Sequence, residues 1–200
     1  MEHRWEESSE SWIFDTDAAV QSAILTSSFA EALAQETYDA AVAGLGWSLS
    51  KSPSGLTLTC SGYSEHISEL ALTVLRHFYD GSFLQDRFVN SSKDRNIQFL
   101  KSYLQSNRAD SHASYYASLL MTSQGGGIDR TMEANESVSF ESIQAHYRSV
   151  ISMPSKIDCL VSGNVSERDS KIFFDRACRL IEQRREFPYK SKAYSWAPGE

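Results

Sequence analysis

Positive charge is in short supply in this sequence of 200 residues. The 19 lysines and arginines are outnumbered by 26 aspartates and glutamates, which leaves a formal net charge of −7 with histidine neutral. Nucleic-acid backbones and anionic lipid surfaces are bound through a positive field that this balance does not supply. The composition therefore predicts no nucleic-acid partner and no membrane partner.

Cysteines and long apolar runs are also scarce. Cys60, Cys159 and Cys178 form no CxxC pair, and an odd number of thiols fits a reducing compartment better than a disulfide framework. We expect each thiol to lie in the core. The opening residues MEHRWEESSESW lack the basic and apolar parts of a signal peptide, and the apolar runs are far shorter than the ~20 residues that span a bilayer. These features predict a cytoplasmic location.

Several short catalytic motifs are missing as well. The sequence contains no GxxxxGKS/T, GxSxG or HExxH string, which argues against the commonest phosphate-binding, serine-hydrolase and zinc-protease patterns. The run from Gly44 begins like a GxGxxG loop, but Leu49 stands where the third glycine belongs. We interpret this run as a helix stop.

The histidines do not form a zinc pattern. No two of the five lie four residues apart, as two ligands on one helical turn would. Glu65 and His66 match the end of an inverted HxxEH motif, but Gly62 occupies the position of its first histidine. We expect this pair to face solvent in the first turn of a helix, and we predict no metal, catalytic or cofactor-binding residue in this chain.

Asp110, Ser111 and His112 place the residue types of a catalytic triad side by side. Sequence neighbours cannot form the relay, because their side chains leave the backbone in different directions and triads depend on geometry across the fold. We therefore expect Asp110 to cap a helix. A cryptic hydrolase at these residues would need distant partners that converge on them in a pocket.

What the sequence does have is a composition suited to a packed core. Hydrophobic residues make up 41%, aromatic residues 12% and charged residues 22%, which is close to the globular average. A chain of 22.4 kDa can bury roughly 70% of its unfolded surface. We expect a packed globular protein that needs no disulfide or metal to fold.

Apolar spacing predicts the elements of the first half. Residues 12–14 read as a strand, and a helix follows from about residue 18 to residue 43, with Thr16 or Asp17 as its N-cap. Alternating apolar residues then predict a β-hairpin with strands at 47–50 and 56–60, joined by a five-residue loop.

The remaining pattern is mostly helical. Helices are predicted after Ser64, over about 83–105, after Asp110 and after Ser139, and the run at 156–162 is predicted to be a strand. A last helix begins after Ser166, which has capping-box spacing to Asp169. This order predicts an α+β fold in which a mostly antiparallel sheet is covered by helices. We expect a single domain over residues 1–183 and a polar connector tail over 184–200, with the glycines at 125–127 forming a turn.

One run is more specific than composition. The segment ETYDAAVAGL, from Glu36 to Leu45, is followed by SGLTL from Ser54 and by SGYS from Ser61. It resembles the insulinase (pitrilysin) family of zinc metallopeptidases, in which a helix ends in YAxxAGL and a hairpin closes with GY or GF. The likeness continues through the segments from Asn107 and from Leu160, LVSGNVS, so that it covers about residues 12–182.

The order of these segments is similar to the third, non-catalytic domain of that family. The resemblance implies a domain like those of metallopeptidases and processing peptidases, which forms part of a peptide-enclosing chamber and packs against sister domains. It implies that zinc is held in a different domain, so no cofactor is expected in this chain, and that the partners are sister domains and peptide substrate. The alternative is a standalone peptide- or protein-binding module without peptidase activity, which an apolar, concave sheet face would favour.

Overall fold

A computed structural model describes residues 15–52, 55–105, 109–121, 127–152 and 156–184. These ranges contain eight helices and two strands: α1 Thr16–Leu33, α2 Tyr38–Val42, β1 Gly46–Ser52, β2 Gly55–Ser61, α3 Ser64–Asp80, α4 Asp86–Leu104, α5 Ala109–Met121, α6 Ile128–Ser137, α7 Phe140–Ser152 and α8 Glu167–Arg184. Within them, no helix is both long and apolar enough to cross a membrane. The strand predicted at 12–14 lies outside the described residues.

The N-cap of the first helix lies one residue before the earlier of its two predicted positions. The side chain of Asp15 accepts hydrogen bonds from the backbone N–H groups of Asp17 and Ala18, at 3.0 and 3.1 Å. These bonds satisfy two of the four donors that a helix leaves open at its N-terminus. Asp15 is therefore the N-cap, and the prediction of Thr16 or Asp17 was wrong.

The long helix predicted over residues 18–43 is broken into α1 and α2. The hydroxyl of Thr37 donates to the carbonyl of Leu33 at 2.9 Å, and the indole N–H of Trp47 donates to that hydroxyl at 3.0 Å. Thr37 is buried, so this local bond and the contact with β1 fix the bend. Apolar spacing alone could not predict the break between α1 and α2, because Trp47 belongs to a different element, β1.

The core is an aromatic cluster centred on Phe29 of α1, which is fully buried. Its ring makes edge contacts with Trp47, Phe78 and Phe83 at centroid distances of 5.4, 5.4 and 4.9 Å. Tyr147 of α7 packs on Phe78 and Phe83 in the same way. Residues from β1, α3, α7 and the loop between α3 and α4 thus meet around α1.

The two strands pair as the antiparallel hairpin that alternation predicts. Leu49 pairs with Leu58, and Trp47 pairs with Cys60, so their side chains share the face that packs toward α1 and α3. The strands extend to Ser52 and Gly55, which leaves a shorter connection than the predicted five residues.

The run predicted as a strand at 156–162 is an extended loop that joins no sheet in the described part of the chain. Alternation in the sequence favours a strand, but a strand also needs a neighbouring edge to pair with. Leu160 is 94% exposed there. The α+β class is confirmed, although the described sheet has only two strands.

The final helix begins as its spacing predicts. The backbone N–H of Asp169 donates to the Ser166 hydroxyl at 3.1 Å, and that hydroxyl donates to the Asp169 carboxylate at 2.7 Å. The helix packs against α3 and continues to Arg184. Residues 185–200 lie outside the described ranges, so the division into a domain and a tail stays a prediction.

Candidate functional site

The triad-like residues of α5 serve packing. Asp110 is the second residue of the helix rather than its cap. The phenol of Tyr103 donates to the carbonyl of Ser111 at 3.2 Å, and its ring makes an edge contact with His112 at 5.3 Å. These contacts join the start of α5 to the end of α4.

The residues that resemble part of a zinc motif lie at the start of α3. Glu65 and His66 are exposed in the first turn of α3, as expected. Among the described residues, no three side chains of histidine, cysteine, aspartate or glutamate are grouped so that they could hold a metal ion. The described part of the chain therefore does not fit a zinc centre.

The prediction that each of the three thiols lies in the core was wrong. Cys60 and Cys178 are half-buried, and Cys159 is exposed. Burial raises the pKa of the Cys60 thiol. Although the Cys159 residue is exposed as a whole, partial desolvation of its thiol raises the pKa, with a smaller contribution from the neighbouring Cys178. A raised pKa keeps a thiol protonated and unreactive, so neither Cys60 nor Cys159 has the character of a nucleophile.

A polar link that the sequence did not indicate joins α1 to α7. The hydroxyl of Ser22 lies 2.8 Å from the Nε2 atom of His146, across 124 positions of sequence. Burial lowers the pKa of His146, and the charge of Asp15 partly opposes this effect. The imidazole therefore favours its neutral form, and no local spacing could have paired two residues so far apart.

The motif glycines shape the end of the hairpin. Gly62 has a φ of +137°, and a Cβ placed on it would lie 2.7 Å from Leu45 Cδ2 and 2.8 Å from the carbonyl oxygen of Gly44. Gly44 has a φ of +80° and packs against the ring of Tyr63. Only glycine combines such backbone angles with so close an approach. The fold therefore requires glycine at these two positions.

Around these glycines lies a group of exposed apolar side chains, which we call the motif patch. Tyr38, Val42 and Tyr63 are 65%, 72% and 76% exposed. Tyr38 and Val42 are four residues apart and share one side of α2, and the Tyr63 ring lies against Gly44, just beyond the end of that helix. Clustered apolar exposure of this kind marks a surface that contacts another protein segment.

The outer face of the hairpin is polar. Ser48 pairs with Thr59 and Ser50 pairs with Thr57, and all four are exposed. We call this surface the hydroxyl face. Each hydroxyl can both donate and accept hydrogen bonds, so the surface suits polar groups of either kind. It is not the apolar sheet face that would favour a standalone binding module.

Comparison with known proteins first establishes the class of fold. The crystal structure of pitrilysin matches with a TM-score of 0.68 at 17% identity, over 84% of this chain and 18% of that chain. The fold is thus an α+β unit of the kind found in a metallopeptidase. The sequence comparison identifies the family as well as the fold. Residues 8–134 match the family described as the middle or third domain of peptidase M16. The chain belongs to this family, and the resemblance seen in the sequence is confirmed.

Two curated relatives are much longer than this chain. Insulin-degrading enzyme-like 1, peroxisomal, from Arabidopsis thaliana is 27% identical over 160 residues, which are 78% of this chain and 16% of the relative. Insulin-degrading enzyme from Drosophila melanogaster is 24% identical over 145 residues, 72% of this chain and 14% of the relative. The chain therefore spans about one sixth of the length of the relatives that it matches.

Proposed function

We propose that this chain acts as a non-catalytic middle domain of an insulinase-type zinc metalloendopeptidase, where it forms part of the wall of a peptide-enclosing chamber and packs against sister domains. The observation that carries the proposal is the match of residues 8–134 to the middle or third domain of peptidase M16. The small share of the relatives that the chain covers supports a role as one part of a larger assembly.

The motif patch supports the contact with sister domains. Tyr38 and Val42 on α2 and Tyr63 near Gly44 expose large apolar surfaces, and covering such a surface with a second domain removes it from water, at about 25 cal/mol per Å². Aromatic side chains are enriched where proteins meet. The expected partner is therefore an apolar surface of a sister domain.

The hydroxyl face supports the chamber wall. The helices α1 and α3 cover the inner face of the hairpin. The outer face of the hairpin is therefore the one that can line the chamber. Ser48, Ser50, Thr57 and Thr59 offer donors and acceptors without charge. Such a surface accommodates the backbones of many peptides and selects weakly among their side chains.

Zinc chemistry is assigned to another part of the peptidase. The sequence has no HxxEH motif, and the described side chains do not fit a metal centre. We therefore derive no step of peptide hydrolysis from this chain. The lack of a nucleic-acid or membrane partner remains part of the proposal on the charge of −7, and a cytoplasmic location remains part of it on the odd number of cysteines.

Native purification through an antibody against this chain tests the proposal. We expect the purified material to cleave a quenched peptide. A chelator should abolish this activity, because the sister domains hold the metal. The double variant Tyr38→Ser/Tyr63→Ser should reduce that activity, whereas Phe99→Ser on α4, which is 67% exposed, serves as a matched control. A free 22.4 kDa chain with no associated metallopeptidase activity would contradict the proposal.

A further inference from the structure

The stretch from Lys156 to Ser162, which we call the open segment, has the backbone of a strand without a pairing partner. It runs between α7 and α8 without a helical turn or a bend. Within the described ranges, no backbone hydrogen bond joins it to another part of the chain, and the sheet found there consists of β1 and β2. Unpaired N–H and C=O groups along an extended segment are a template for pairing with another strand.

The side chains of the open segment alternate between two faces, as those of a strand do. On one face, the ammonium group of Lys156 lies 3.0 Å from the carboxylate of Asp158, and Leu160 is 94% exposed. On the other face, Ile157 is half-buried and Val161 is 39% exposed. One face of the segment is therefore turned toward the protein, and the other is turned toward solvent.

Helix α8 holds the open segment in place. The thiol of Cys159, on the same face as Ile157, is close enough to Cys178 of α8 to interact with it electrostatically. Helix α8 packs against α3, and the Arg176 guanidinium lies 3.3 Å from the Glu69 carboxylate of that helix. Because the N–H and C=O groups of a strand point sideways, a helix against one face leaves its edges unpaired. A segment presented in a fixed position has less entropy to lose on pairing.

We propose that the open segment accepts an extended strand from a sister domain of the peptidase, held by backbone hydrogen bonds. This inference rests on the proposed function and specifies one of its contacts between domains. The described sheet has two strands, whereas most sheets have about four to six. The matched residues make up only 16% and 14% of the two relatives, so proteins of this kind contain ample further chain to supply the strand.

An extended strand fits the open segment better than a helix does, because a helix satisfies its own backbone groups and has few to offer an edge. Lys156 and Asp158 are paired with each other, so Leu160 is the large exposed side chain that remains on their face. An apolar cross-strand neighbour would remove the surface of Leu160 from water. The partner strand should therefore carry an apolar residue opposite Leu160.

Hydrogen exchange at single-residue resolution tests the inference on the free chain and on the native assembly purified through the antibody. In the free chain, the amides of the open segment should exchange rapidly. In the assembly, every second amide should exchange about tenfold more slowly or slower still, because successive N–H groups of a strand point to opposite edges and only one edge is paired.

Leu160→Pro and Val161→Pro form a matched pair, because each removes one N–H group and the two groups face opposite edges. In the assembly, one variant should abolish the alternating protection of the open segment, and the other should keep it. Both variants should retain the circular dichroism of the parent chain when free. The exchange pattern of the parent chain decides the inference by itself if a proline variant does not fold.

Alternating protection that only one proline variant abolishes supports the inference. Protection of all amides of the open segment together, protection of none of them, or the same behaviour in both proline variants overturns it. An assembly that cleaves peptide while its open segment exchanges as in the free chain would refute this inference and leave the proposed function standing. A chain that purifies without peptidase activity would overturn both.

Discussion

Helices α1 and α5 show how differently one chain can use apolar residues. Eight of the 18 residues of α1 are buried, whereas none of the 13 described residues of α5 is. Yet α5 also carries large apolar side chains, among them Leu120 at 89% and Met121 at 86% exposure. Composition alone does not decide which helix enters a core.

The difference lies in what surrounds each helix. The hairpin, α4, α6 and α7 all pack against α1. By contrast, α5 meets α4 through the rings of Tyr103, His112 and Tyr115 near its first turns. The apolar end of α5 is thus exposed in the described part of the chain. The contacts that a helix makes with other elements, rather than its own apolar content, decide which helix enters the core.

The largest effect should come from emptying the centre of the core. Phe29→Ala removes a fully buried ring with three aromatic neighbours and should lower the free energy of unfolding by about 3–5 kcal/mol. Leu120→Ala on α5 should change it by less than about 0.5 kcal/mol, because the side chain is 89% exposed. Urea denaturation measures both. Equal losses would show that α5 belongs to the same core and would break the comparison.

The next effect concerns the hairpin that covers α1. Gly62 and Gly55 have nearly equal φ values of +137° and +140°, but only at Gly62 would a Cβ meet other atoms within 4 Å. Gly62→Ala should therefore cost about 3 kcal/mol, from backbone strain and overpacking together. Gly55→Ala is the matched control and should cost about 1–2 kcal/mol from strain alone. Thermal unfolding of the two variants separates the cost of backbone strain from the cost of overpacking. Equal melting temperatures would mean that the structure relaxes around the close contact at Gly62.

The elements that the sequence predicts correctly are those fixed by local chemistry. The alternating residues of the hairpin and the Ser166 capping box each lie within a short stretch, and both form as expected. The break after Leu33 was missed because it depends on a hydrogen bond from Trp47. The strand predicted at 156–162 failed for a related reason, since pairing requires an edge from elsewhere in the fold.

The same rule applies to the candidate sites. The motif glycines were found in the sequence because their backbone demands are local. The link between Ser22 and His146 joins residues 124 positions apart. This link leaves no local pattern, so sequence reasoning could not have found it.

A smaller effect should follow from removing the cap of α1. Asp15→Ala deletes the acceptor for two backbone N–H groups and should cost about 1 kcal/mol. Asp94→Ala, at an exposed position within α4, is the control for losing a carboxylate and should cost less than about 0.5 kcal/mol. Chemical denaturation gives both values. A loss as large as that of Phe29→Ala would mean that the cap, rather than packing, holds α1 in place.

The smallest effect is a pH dependence at the contact between α1 and α7. Burial lowers the pKa of His146 below its usual value of 6.5, so the unfolded chain binds a proton at a higher pH than the folded one. Its contribution to stability is therefore present above about pH 6.5 and is lost as the pH falls through the lowered value, at no more than about 1.4 kcal/mol per pH unit. His146→Gln should flatten the stability profile between about pH 7 and 5, whereas His66→Gln, at an exposed position, should leave it unchanged. Denaturation series at stepped pH measure the slopes. Parallel profiles for the parent chain and His146→Gln would show that the Ser22 contact tolerates a charged imidazole.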